Sequence, residues 1–305
     1  MDCVRGAHYT PSRDSRGLEC AIMTSRLTTR RHDRDSAGLT YVYPVISRRA
    51  GGVSVGINLN PNNACNWRCI YCQVPDLKRG SAPPVDIPLL ERELRGFLTD
   101  ILHGAFMTEH VPQEARQLKD IALSGNGEPT SAAEFDQVIE LIGRIMDDFG
   151  LKGKIKLVLI TNGSLVHRPA VQRGLERMAK LGGEVWFKLD RASEAGIRLV
   201  NGTRISLPRV RKNLAAAAAL CPTRLQTCLF AIDGRPPDEK ELAAYLEFVA
   251  TALAAGVTLR GIMLYGLARP PMQPGKERLT ALGKDWLDDF ARRAAGLGLE
   301  VQVSA

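Results

Sequence analysis

The chain has 305 residues, 45% of them hydrophobic, and a formal net charge of +8. That is enough apolar material for a sizeable core, at a length that suits one α/β barrel or two small domains. No apolar run reaches the roughly 18 residues of a membrane-spanning helix. Arg5, Asp14, Arg16 and Glu19 interrupt what would be the apolar centre of a secretory signal, so the chain reads as cytoplasmic, with no membrane partner. The 7 cysteines are an odd number, with three clustered and Cys3, Cys20, Cys221 and Cys228 scattered. That excludes a disulfide framework and fits a reducing compartment.

Residues 1–50 carry nine Arg against five Asp or Glu, so half of the net charge sits there. Residues 1–38 show no sustained periodicity and read as a basic, disordered extension before a domain over 39–305. Nothing before Met23 has the pattern of a core, which makes Met23 an alternative start. A short strand is expected over 39–46. Residues 53–59 alternate as a strand and run into a cysteine-bearing loop, and the apolar spacing predicts a helix over 89–103. The pattern then repeats: strand 120–124 and helix 133–149, strand 156–161 and helix 169–181, strand 184–189 and helix 208–220. It continues with strand 224–232 and helix 239–255, strand 258–265 and helix 276–297, and a last strand over 300–303. Six strands alternating with helices predict an α/β fold: a partial (β/α)6 TIM-like barrel of parallel strands with edge elements. Polar residues gather after each strand, the end at which such barrels carry their active sites.

Cys65, Cys69 and Cys72 follow the first of these strands in the spacing C-x3-C-x2-C. Three thiolates are one fewer than tetrahedral zinc or a fully protein-ligated iron–sulfur cluster takes. A four-iron cluster on three cysteines leaves one iron open; a zinc ion completed by His103, His110 or His167 is the alternative metal reading. The second strand ends in Gly125-Asn126-Gly127-Glu128-Pro129-Thr130. Glycines let the backbone approach a ligand closely, and carbonyls with the Glu128 carboxylate suit an ammonium group. A βα turn capped by Thr130 is the plainer reading of that segment alone. The third strand ends in Asn162-Gly163-Ser164, where the side chains either bond a ligand or form a turn with Ser164 as helix N-cap. Alternation places Lys188 and Asp190 on one face of the fourth strand, a charged pair that needs a partner or a ligand inside a barrel. Gln226 and Cys228 share a face of the next strand, and Cys221 and Cys228 read as buried inert thiols. The proline-bearing loop 73–88 is a candidate cover for the barrel mouth.

Together these motifs resemble the signature of the radical S-adenosylmethionine (radical SAM) superfamily over residues 50–270. The run Asn58-Leu59-Asn60-Pro61-Asn62-Asn63, the cysteine loop, G-N-G-E-P-T and I-T-N-G are most similar to its wyosine-synthase-like branch of Fe–S oxidoreductases. The resemblance implies one 4Fe–4S cluster on Cys65, Cys69 and Cys72, with SAM chelated to the open iron. It places Tyr71 beside the adenine of SAM, and Gly125, Asn126, Gly127 and Glu128 at its amino group. It places Asn162, Ser164, Lys188 and Asp190 at its ribose or carboxylate. It implies reductive cleavage of SAM to a 5′-deoxyadenosyl radical that takes hydrogen from a substrate, fed by a donor such as flavodoxin or ferredoxin. Members near this branch act on guanosine in tRNA; the motifs themselves specify no substrate among small molecules, peptides and RNA, and single out no further catalytic residue. Two other readings stand beside this one: a zinc-stabilised nucleic-acid-binding protein, and a radical SAM enzyme that places a glycyl radical on a protein partner.

Overall fold

A computed structural model of the protein describes residues 26–28 and 37–304, together with the pairing of Ser12–Arg13 with Glu19–Cys20. The extension expected over 1–38 lies largely outside the described residues. Leu27 is buried in the main core and donates its N–H to the His110 carbonyl at 2.8 Å.

β1 (Val42–Ser47) turns back antiparallel into β2 (Gly52–Ile57). From β2 onward every neighbour in the sheet is parallel, in the order β3 (Leu118–Leu123), β4 (Lys156–Thr161), β5 (Glu184–Lys188), β6 (Thr223–Cys228), β7 (Ile262–Tyr265) and β8 (Val301–Ser304). The longer helices are α1 (Ile87–His103), α2 (Phe135–Asp148), α3 (Pro169–Lys180), α4 (Glu194–Asn201), α5 (Leu207–Leu220), α6 (Glu239–Ala254) and α7 (Lys284–Ala295). The six expected strand–helix units are present, flanked by β1 and β8 as the edge strands of an eight-stranded sheet.

The sheet is strongly curled. Laid flat, β2 and β6 would stand four strand spacings, about 19 Å, apart. Yet Arg49, in the turn between β1 and β2, reaches Gln226 on β6 with a hydrogen bond of 2.6 Å. No pairing joins β1 to β8 among the described strands, so the barrel stays open along one side.

Strict alternation divides two cores. Ile121, Leu123, Leu157, Leu159, Val185, Phe187, Ile262 and Leu264 join the large core that the helices cover. Ala122, Val158, Trp186 and Met263, one register out, form a separate small cluster inside the barrel. A one-residue slip of any strand would exchange these sets, so the pattern fixes the register.

Two expected elements differ. The strand expected over 224–232 breaks at Leu229: β6 ends at Cys228, and Phe230–Ile232 leaves the sheet to pair antiparallel with Leu279–Ala281. That pairing takes up the start of the helix expected over 276–297, which begins only at Lys284. α4 was not expected. Ser193 caps it, accepting from the Gly196 N–H at 2.9 Å, and Gly202 ends it in the left-handed conformation at φ 59°.

Candidate active site

The loop after β2 is built by asparagines. Asn58 Oδ1 accepts from the N–H groups of Asn60 (3.1 Å) and Asn126 (3.0 Å). Asn60 Nδ2 donates to the Ala64 carbonyl at 2.9 Å, and Asn63 Oδ1 accepts from Asn126 Nδ2 at 2.7 Å. The segment before the cysteines is thereby stapled to the Gly125–Glu128 turn after β3.

The cysteine loop is docked on the end of α4. The N–H groups of Arg68 and Ile70 donate to the carbonyls of Asn201 (3.1 Å) and Val200 (2.9 Å), last-turn groups with no partner inside the helix. Asn201 Nδ2 lies 3.5 Å from Cys69 Sγ and 2.6 Å from Asp190 Oδ2. Asn66 is gripped by the turn after β4, accepting from Asn162 Nδ2 and donating to Ser164 Oγ, both at 2.8 Å.

These contacts place Cys65, Cys69 and Cys72 as free thiols on one cavity of about 300 Å³, a volume at the lower end for ligand sites. Tyr71, Gly125, Asn126, Gly127, Glu128, Asn162 and Lys188 line the same cavity. Burial pushes the Cys65 and Cys69 thiols up to about 12, so each keeps its proton at neutral pH until a cation draws it off.

Ser164 and Asp190 do not line the cavity, contrary to expectation. The Ser164 hydroxyl is engaged by Asn66 and Asn162. The Asp190 carboxylate is fully enclosed, accepting from the Tyr71 hydroxyl (2.6 Å), Asn201 and the Cys228 N–H (2.9 Å). Lys188 donates to the Tyr71 oxygen at 2.6 Å and stands 3.9 Å from Asp190. Burial opposes its ammonium, but Asp190 together with Tyr265, Cys69 and Cys228 holds its pKa well above the ordinary lysine value.

Glu128 lines the cavity with a carboxylate that is already occupied. Oε1 accepts from Thr130 Oγ1 (2.5 Å) and Thr161 Oγ1 (2.6 Å), and Oε2 from the Asn162 N–H (2.7 Å). Burial raises its pKa despite these donors. It ties the turn to the end of β4, whereas the neighbouring Asn126 Oδ1 is buried with no hydrogen-bond partner among the described residues. The turn glycines are required by the protein's own packing. A Cβ on Gly125, at φ 130°, would meet Asn58 Oδ1 at 2.4 Å, and one on Gly127 would meet the Ala64 carbonyl at 2.1 Å.

Residues 59–249 match the family model of the Radical SAM superfamily. The chain belongs to that superfamily. Radical SAM proteins are enzymes that work with a 4Fe–4S cluster and SAM. This radical SAM chain is 33% identical over 135 residues to a "UPF0026 protein" of Helicobacter pylori, covering 44% of this chain and 38% of the relative. The match therefore spans less than half of the relative's length. A radical SAM methyltransferase from Sphaerobacter thermophilus shares the fold with a TM-score of 0.56 and 13% identity, over 86% of this chain and 68% of that one. TYW1 with a lysine–pyruvate adduct shares it with a TM-score of 0.52 and 17% identity, over 81% and 74%.

The donor set fits a radical SAM cluster: the three free soft thiols of the C-x3-C-x2-C loop share a cavity with a buried, unpartnered acceptor, Asn126 Oδ1, while a fourth free thiol, Cys228 at the end of β6, also lines it. The zinc alternative gains no support. Among the described residues no group of three or more His, Cys, Asp or Glu, the three cysteines included, is arranged around one metal ion, so that finding does not separate zinc from a cluster. His103, His110 and His167 do not line the cavity. Cys221 Sγ is turned to the Gly183 carbonyl at 3.5 Å, away from it. No helix of the described residues is long and apolar enough to cross a membrane.

Proposed function

We propose that Cys65, Cys69 and Cys72 hold the 4Fe–4S cluster and that Asn126, with the backbone of 125–128 and Asn162, holds the methionine end of SAM. Bound there, the pair supplies one-electron cleavage of SAM and a radical that takes hydrogen from the substrate. The observation that carries this reading is the meeting of three free thiols and the Gly-Asn-Gly-Glu turn on one cavity.

The chain's own residues orient and enclose. Asn126 Oδ1 offers an ammonium one acceptor beside the turn carbonyls, while Glu128 keeps the turn closed on β4. Tyr71, held by Asp190 and Lys188, forms a fixed aromatic wall beside Cys72. Val74 and Leu77, from the proline-bearing loop, line the mouth and help to exclude water. Radical SAM enzymes need a reductant and a substrate; we assign the reductant to a flavodoxin or ferredoxin of the cytoplasm.

Anaerobic reconstitution with iron and sulfide tests the site. The wild-type chain is expected to bind four irons per chain and to form 5′-deoxyadenosine with dithionite and SAM. Cys69→Ala is expected to lose both. A Cys69→Ala protein that still forms 5′-deoxyadenosine would refute the ligand assignment.

A further inference from the structure

We propose that the floor of the barrel anchors the substrate, and that the substrate carries an oxyanion, a carboxylate or a phosphate group, held by Arg49. The proposal deepens the reading above and rests on it for the cofactor end of the cavity.

Arg49 enters the barrel from the turn between β1 and β2 and lines the same cavity as the three cysteines. Its guanidinium carbon lies 4.8 Å from the centroid of the Trp186 ring and 5.2 Å from that of Tyr265. Nη1 donates to Gln226 Oε1 at 2.6 Å. These contacts from β5, β6 and β7 fix the plane of the guanidinium, and all three partners are neutral. The carboxylate on the same floor, Asp120, is hydrogen-bonded by Ser54 instead. Arg49 is half-buried, and burial lowers its pKa. Gln226 adds an unsatisfied donor. It is 1% exposed, its oxygen serves Arg49, and its Nε2 has no partner among the described residues.

A half-buried cation held by aromatic rings and one amide is a preformed seat for a planar or tetrahedral oxyanion. The guanidinium fork matches both geometries. Asp120 answers the charge only through space, with no hydrogen bond to Arg49, so an oxyanion ligand would add the direct contact that a neutral or cationic group could not. The small cavity admits a head group of limited size. Access fits the same chemistry: a second cavity of about 600 Å³, at the amino ends of the strands, shares Arg49, Asp120 and Trp186 with the first. Lys119, Lys154, Lys156 and Arg224 stand around it against Asp120 and Glu184, with Glu184 paired to Lys156 and Arg224, so the net field remains positive and draws anions toward the floor.

The test titrates the reconstituted, SAM-loaded protein with inorganic phosphate and, separately, with acetate at constant ionic strength. Binding is followed by tryptophan fluorescence and by calorimetry. At least one anion is expected to bind saturably, and which one does so separates phosphate from carboxylate substrates. Arg49→Gln is expected to weaken that binding roughly tenfold or more, the loss of a charge-assisted contact. Gln226→Glu, nearly isosteric, places a carboxylate on Arg49 and is expected to weaken it likewise, which keeps the test sharp should Arg49→Gln fold poorly. Failure of both anions to saturate, or wild-type affinity in a folded Arg49→Gln or in Gln226→Glu, overturns the proposal. SAM cleavage, assayed on the same wild-type preparation, separates the two readings. Cleavage without anion binding removes only the anchoring site; anion binding without a cluster or cleavage removes only the cofactor assignment.

Discussion

Replacing Gly127 with alanine is expected to damage both the fold and the cofactor site, because the two signature loops touch at this residue. A Cβ there would lie 2.1 Å from the Ala64 carbonyl oxygen and 2.7 Å from Asn60 Nδ2. Real Cβ contacts essentially never fall below 3.0 Å, so the gap must widen by about 0.9 Å against backbone, not against a flexible side-chain tip. Overpacking of this kind costs about 1–3 kcal/mol. Displacing Ala64 also strains its 2.9 Å bond from Asn60 Nδ2, worth about 1 kcal/mol more. The sum is about 2–4 kcal/mol, or about 3–6 °C in Tm for a chain of this size. Ala64 precedes Cys65, so the iron bound on anaerobic reconstitution should fall as well. Gly153→Ala is the control: its φ is 75° and nothing lies within 4 Å, so it bears only the backbone term of about 1 kcal/mol and keeps full iron. Thermal melts and iron analysis decide the matter. A Gly127→Ala protein with wild-type Tm and full iron would show that the turn and the cysteine loop are not in contact.

Glu128→Gln replaces one acceptor oxygen with a donor facing an N–H or hydroxyl group that needs an acceptor, and should cost about 1–3 kcal/mol in urea denaturation; unchanged stability would mean those bonds are not made. Asn201→Ala removes the donor at Cys69 Sγ and should lower the reduction potential of the cluster, read by an EPR-monitored redox titration. An unmoved potential with α4 intact would contradict that contact. Burial raises the Asp120 carboxyl from 3.8 to about 6, so the folded chain holds this proton to higher pH than the unfolded chain does. Stability is therefore lost as pH rises across that window. Asp120→Asn should gain about 3 kcal/mol relative to wild type between about pH 4 and pH 7, and urea curves that shift in parallel at both pH values would exclude it.

The strand–helix units were legible because buried parallel strands read as short apolar runs, as in Lys156–Thr161, and because helices 89–103 and 239–255 are long enough to show their period. The cysteine spacing and the Gly-Asn-Gly-Glu turn were legible as chemistry. The occupation of Glu128 was not, since its donors Thr161 and Asn162 come from another strand. Arg49 sits in an Arg-Arg pair of a turn, which reads as solvated charge; only the curl of the sheet carries it to β6. α4 carried its signals in Ser193 and Gly202, but eight residues are too few for periodicity to stand out. The start of the last helix was lost to a partner strand some 50 residues earlier, a pairing local pattern does not reveal.

The docking of the cysteine loop on α4 separates two events that are one in zinc fingers, where metal binding drives folding. Here the N–H groups of Arg68 and Ile70 are satisfied by helix carbonyls, so protein bonds of its own also tie the loop to α4. Oxygen that strips iron from the three thiols would then leave an intact scaffold. Recovery becomes a matter of resupplying iron and sulfide to a waiting site, with no need to make the chain again.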